Sequence, residues 1–262
     1  GLFSRLLLST RQPSTLRVPV LFLTATASKE VLEQIELLSG YTFDRSSNLL
    51  WPTHVEMQRR NIRVEITLTE QTVRIFKGLC EPLLRDTSGE FAKKAILYCN
   101  MRNTAEQYRL AIRQWLDASS LPGDVVPLNG SLFKDQKFYH TVLYVSRQRH
   151  SDTTDFMPQI LLATSSSANC GLDSPDVYLV VRDGFPPSIE DILQELGRAG
   201  RRPTASPVTD RYQVCISLKS YVGLLRRIYS QENDPDHRTN DTALTVKAYQ
   251  AHTLASLQLP LI

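Results

Sequence analysis

Short runs of β-branched and aliphatic residues, each followed by a stretch with helical spacing, constrain this chain more than any other feature. The runs at 18–24, 95–100, 125–128, 159–164, 177–182 and 213–218 read as strands. The stretches 29–38, 69–84, 104–116, 134–146, 189–196 and 221–230 read as helices. Strands joined through helices build parallel sheets, since a parallel neighbour needs a crossover connection. The expected fold class is therefore α/β, a parallel sheet with flanking helices. The pattern breaks between Tyr41 and Glu65, at Asn48, Pro52 and the basic segment Arg59-Arg60-Asn61-Ile62-Arg63, which marks a domain boundary. A polar stretch at 231–242 reads as an exposed loop before a last helix near 243–257.

Composition removes several function classes. With 42% hydrophobic and 22% charged residues, the chain is neither collagen-like nor mostly disordered. Its longest apolar runs, such as Val18 to Leu23, fall far short of the roughly 18 residues that a bilayer crossing needs, so no membrane partner is expected. Thirty Lys and Arg against 27 Asp and Glu leave a charge of +3, which permits a polyanionic partner without requiring one. The cysteines Cys80, Cys99, Cys170 and Cys215 form no CxxC pair, so no zinc site is expected and reduced, buried thiols are. Residues 1–29 carry Arg5, Arg11, Arg17 and Lys29 with no acid before Glu30, as a mitochondrial transit peptide does. The stretch nevertheless begins at Gly1 and runs straight into a strand pattern, as an internal segment of a longer polypeptide would.

The segment from Ser188 to Arg202 is the most informative. Ser188 is a candidate helix cap with Asp191 as its capping-box partner. Ile189, Ile192, Leu193 and Leu196 then fall on one stripe, which leaves Gln194 and Arg198 on the opposite face. Gly197 and Gly200 remove side chains beside Arg198 and Arg201, and two guanidinium forks presented together suit phosphate recognition. The same residues also describe an ordinary helix end, with glycine stopping the helix and arginines complementing its dipole.

The octapeptide Gln194-Glu-Leu-Gly-Arg-Ala-Gly-Arg201 resembles motif VI of the RecQ-family helicases. Upstream, Leu161-Leu-Ala-Thr164 through Cys170-Gly-Leu-Asp-Ser-Pro-Asp-Val177 resembles motif V, Ile96-Leu-Tyr-Cys-Asn-Met-Arg102 resembles motif IV, and Leu23-Thr-Ala-Thr-Ala27 is similar to motif III. The resemblance implies residues 1–58 as a remnant of a first RecA-like lobe, 59–64 as an interlobe linker and 65–218 as the second RecA-like lobe. Residues 219–262 would begin a helical region that lacks the family's zinc cysteines. The implied activity is that of the carboxyl-terminal part of an ATP-dependent 3′ to 5′ DNA helicase used in DNA repair and recombination. Arg201 would be the arginine finger, supported by Arg198 and Gln194. Asp173 and Gly171 would help hold ATP, Asp173 through a ribose hydroxyl. Asn100, Arg102, Thr164 and Ser165 would contact DNA, and Thr24 and Thr26 would couple the lobes. Nuclear localisation in a eukaryote, or cytoplasmic otherwise, follows from the DNA substrate.

The sequence also departs from the family. It contains no GxxxxGK[ST] and no DExH box, so the Mg²⁺ ligands are expected on an amino-terminal lobe supplied by the same polypeptide. By itself the chain is expected not to hydrolyse ATP at a helicase rate. Arg202-Pro203 replaces the family's acid after motif VI, 165–170 makes motif V one residue longer, and Met101 stands where serine is common. These changes keep a second reading open, a helicase-derived module that binds nucleic acid without catalysis. An RNA helicase of the DEAD-box kind usually opens motif VI with His-Arg, where this chain has Gln194-Glu195.

Overall fold

The computed structural model describes residues 29–44, 61–88, 90–146, 158–164, 172–186, 189–201 and 210–232. The chain divides into two compact units, Gly1–Gln58 and Arg59–Ile262. In the first, helix α1 (Lys29–Ser39) ends at Gly40, whose φ of 69° suits the left-handed closing position and whose N–H donates to the Glu36 carbonyl at 2.7 Å. The strand expected at 18–24 and the last helix near 243–257 lie outside the described residues.

The second unit runs β1 (Ile62–Leu68), α2 (Thr72–Arg85), β2 (Lys94–Cys99), α3 (Arg102–Ala118), β3 (Asp124–Leu128), α4 (Lys134–Val145), β4 (Pro158–Thr164), β5 (Val177–Asp183), α5 (Ile189–Leu196), β6 (Asp210–Ile216) and α6 (Leu218–Glu232). Its strands form one six-stranded sheet in the order β1-β6-β5-β2-β4-β3, and every pairing is parallel.

Side-chain alternation along the central strand shows why helices cover both faces. On β2, Ile96 and Tyr98 point to one side, where they join Tyr144 of α4 and Ala199 after α5. Ala95, Leu97 and Cys99 point to the other, against Phe76, Cys80 and Leu84 of α2 and Ile112 and Leu116 of α3. A strand buried on both faces must be apolar at every position, and all six β2 residues are buried. The exception in that run, Lys94, carries its amino group to the carbonyls of Tyr144 and, at 2.7 Å, Ser146, so its charge sits at the carboxyl end of α4. Burial pushes the thiols of Cys80, Cys99 and Cys215 up, that of Cys215 to about 12, and keeps them protonated as small apolar fillers.

One boundary is corrected. Residues 62–64, assigned to the linker above, are the first three of β1, and Ile62 pairs with Asp210. In β1 Ile62 is buried, Arg63 and Val64 are exposed and the residues from Glu65 to Leu68 are half-buried, as on an edge strand that water reaches. Its basic residues hid it inside a cluster that reads as a linker.

Candidate functional site

In an open parallel sheet the carboxyl ends of all strands lie on one edge, where ligands bind such folds. Helix α5 stops in a tight turn, and Gly200 in that turn meets Asn61 and Ile62 at the amino end of β1. The N–H groups of Gly197, Arg198 and Ala199 donate back to the carbonyls of Leu193, Glu195 and Leu196 at 2.9, 3.0 and 3.2 Å, and Gly200 follows with a φ of 65°. Two arginines leave this turn toward one short segment. Arg198 donates to the Leu172 carbonyl, and Arg201 forms an ion pair with Asp173 while its Nε donates to the Gly197 carbonyl at 2.8 Å. Side chains separated by 28 positions in sequence thus meet, with Asp173 81% exposed and Arg201 30% exposed. Gln194 lies half-buried on α5, one turn before Arg198. Gly171, Ser165, Thr24 and Thr26 lie outside the described residues.

The stripe expected on α5 holds at Ile192 and Leu196, which pack against the core, and fails at Leu193. Leu193 is 49% exposed, whereas Glu195 is fully buried. The cause is Arg182, an arginine at the end of the apolar strand β5 that no solvent reaches. Its guanidinium donates to Glu195 Oε1 at 2.6 Å, to the Phe185 carbonyl at 3.3 Å and to Asn100 Oδ1. Tyr212 Oη donates to the second Glu195 oxygen at 3.0 Å. A buried charge costs several kcal/mol unless it is paired and hydrogen-bonded, so α5 turns its glutamate inward to meet the strand's arginine. Sequence reasoning missed Arg182, Glu195 and Tyr212 as a unit; the signal was a charge closing the run Val177–Val181.

Burial pushes the Glu195 carboxyl up to about 7, against the opposing pull of Arg182 and Tyr212. A carboxyl raised above its unfolded value of about 4.3 binds more protons in the folded chain, so its contribution to stability is complete below that value and is lost as pH rises through about 7. Glu195→Gln is therefore expected to flatten the dependence of urea-unfolding free energy on pH between these limits. An unchanged slope would contradict the burial argument.

The expected nucleic-acid positions lie on adjacent strand ends. Cys99 of β2 pairs with Thr164, the last residue of β4, so Asn100 and Arg102 follow β2 beside the Thr164 terminus. Arg102 is exposed as the first residue of α3, and Thr164 is half-buried. The Asn100 amide is engaged within the fold at both ends. Its Oδ1 accepts from Arg182, and its Nδ2 donates to the Phe185 carbonyl at 3.2 Å. Gly184, with a φ of 77°, leaves that amide its space, since a Cβ there would lie 3.0 Å from Asn100 Nδ2. Among the described residues no group of three or more His, Cys, Asp or Glu could hold a metal, and no helix is long and apolar enough to cross a membrane.

Comparison with known proteins adds to this geometry. The family model described as the helicase conserved C-terminal domain matches residues 76–203. The ATP-dependent DNA helicase RecQ of Pasteurella multocida is 31% identical over 190 residues, which is 70% of this chain and 24% of that protein. The RecQ-like DNA helicase BLM of Xenopus laevis is 26% identical over 234 residues, covering 86% of this chain and 14% of that protein. The chain therefore spans a quarter or less of the length of these relatives. The solved structure of Saccharomyces cerevisiae Dbp5 bound to RNA and ADP BeF3 aligns with a TM-score of 0.52 at 15% identity, over 79% of this chain and 47% of that one, which supports the fold alone.

Proposed function

This chain belongs to the RecQ-type superfamily 2 helicases as a carboxyl-terminal part built on their RecA-like sheet, and we propose that it supplies the second half of an ATP-dependent 3′ to 5′ DNA helicase. One observation carries the reading furthest, the convergence of Arg198 and Arg201 on Leu172 and Asp173. It gathers the charged residues of two separate motifs at one surface point.

The residues fit a nucleotide. Arg201 is half-exposed and is the group for the terminal phosphate, with Arg198 behind it and Gln194 one turn earlier. Asp173, almost fully exposed, is the acceptor for a ribose hydroxyl, with Gly171 two residues before it in sequence. An exposed ion pair is worth about 0–1 kcal/mol, so Arg201 and Asp173 give each other up at little cost when better partners arrive. ATP with Mg²⁺ supplies the free energy of phosphoryl transfer, and the Mg²⁺ ligands come from an amino-terminal lobe of the same polypeptide. Residues 1–58 are a remnant of that lobe, with Thr24 and Thr26 coupling it to this unit across the 59–61 linker. Residues beyond 218 begin the region that follows the second lobe.

DNA crosses the ends of β2 and β4, contacting Arg102 at the start of α3, Thr164 and, next in sequence, Ser165, with Asn100 ordering the loop from inside. Hydroxyls and an arginine grip phosphates rather than bases, so binding is sequence-tolerant and salt-dependent. Single-stranded oligonucleotide binding by the chain, followed by fluorescence anisotropy, is expected to weaken steadily between about 50 and 200 mM salt. Arg102→Ala is expected to lower the slope of log affinity against log salt by about one. Salt-independent binding would overturn the phosphate-contact reading. DNA repair and recombination and a nuclear or cytoplasmic location belong to the same reading, as does the absence of a zinc site.

A further inference from the structure

We infer that Asn61 is a positioning residue for Arg201, holding the turn that presents it; the inference rests on the reading of Arg201 as the phosphate-facing arginine. Asn61 Nδ2 donates to the Gly200 carbonyl at 2.7 Å, across 139 positions of sequence. That carbonyl belongs to the peptide whose nitrogen is that of Arg201, so the bond acts on the backbone unit from which the arginine departs.

Close approach reinforces the bond. A Cβ at Gly200 would lie 2.5 Å from Asn61 Nδ2 and 2.8 Å from Ile62 Cγ1, and Gly200 also has a φ of 65° that disfavours any L side chain. Glycine is therefore required there for two independent reasons. One concerns the turn, the other the Asn61 and Ile62 side chains lying against it. Ile62 is 8% exposed and pairs with Asp210 as the first residue of β1, and Ala199 on the other side is fully buried. Both ends of the contact are thus anchored, one by the edge strand and the other by the core.

Asn61 sits three residues after the division at Gln58 and Arg59, in the basic segment that reads as a linker. Its amide lets the start of the second unit set the conformation of the arginine-bearing turn. The neighbouring arginines carry charge, but the neutral asparagine carries this connection.

The test uses Asn61→Leu, which keeps branching and approximate size but loses the donor, with Asn61→Ala as a second variant should leucine not fold. In the 262-residue chain, amide hydrogen exchange at 198–201 is expected to accelerate about tenfold in either variant while β5 is unchanged, the effect of losing one hydrogen bond. Unchanged exchange at 198–201 would overturn the inference. In the polypeptide that carries both lobes, kcat for DNA-stimulated ATP hydrolysis is expected to fall about tenfold with KM for ATP unchanged. Arg201→Ala is the reference. If it abolishes turnover while both Asn61 variants keep the full kcat, the positioning role is wrong; if it leaves turnover normal, the reading of Arg201 on which the role rests is wrong.

Discussion

Arg201→Ala is expected to lower DNA-stimulated ATP turnover by about 10³- to 10⁵-fold in the polypeptide that joins this unit to a nucleotide-binding lobe, while the fold survives. The two halves of that expectation have separate physical causes. An arginine aimed at a transferring phosphoryl group acts where charge develops, so its removal falls on the rate. In the structure the same side chain holds the exposed Asp173 and the Gly197 carbonyl, contacts at the surface whose loss costs about 1 kcal/mol or less. Steady-state hydrolysis with and without single-stranded DNA, beside a thermal melt of each variant, checks both halves. Near-normal turnover would remove the finger role. In the 262-residue chain alone, no turnover above Arg201→Ala is expected. DNA-stimulated turnover that disappears in this variant would mean that a phosphate-binding loop lies within these residues.

The second large effect is on stability. Arg182→Ala leaves the Glu195 carboxyl buried without its cation and removes the donor to Asn100 Oδ1 and the Phe185 carbonyl. Breaking a buried pair from one side costs about 3–5 kcal/mol, a large share of the 5–15 kcal/mol that holds a typical domain together. Replacing both partners by apolar residues of similar volume, as in Arg182→Met with Glu195→Leu, is expected to recover most of that loss, because no uncompensated charge remains. Urea unfolding of the single and double variants checks this, and a cost below about 1 kcal/mol for Arg182→Ala would show the pair to be dispensable. Asn100 shares this network, so its loop on the proposed DNA side is expected to loosen in Arg182→Ala. The double variant would restore stability without restoring that contact.

How far the sequence reached can be judged element by element. Five of the six strands of the sheet and the helices between them were legible because buried strands write apolar runs, and the helices beside them write a 3.6-residue period. Val177–Val181 and Ile160–Ala163 are such runs, and the structure pairs them through β2. Strand β1 was missed because Arg63 and Glu65 interrupt its apolar residues and join the basic segment before it, whereas the other edge strand, β3, keeps Val125, Val126 and Leu128 buried and was legible. The phase of α5 was misjudged at Leu193 and Glu195 because periodicity counts apolar residues and has no means of seeing a charge waiting in the adjacent strand.

The sequence by itself determined the α/β class, the motif order and the two arginines, since local spacing and residue chemistry suffice for these. Tertiary structure alone decided which groups meet. It brought Asp173 to Arg201, Glu195 to Arg182 and Asn61 to Gly200, contacts spanning 28, 13 and 139 positions. Such pairings depend on strand order, and β6 lies between β1 and β5 for reasons of packing and crossover that no local window contains.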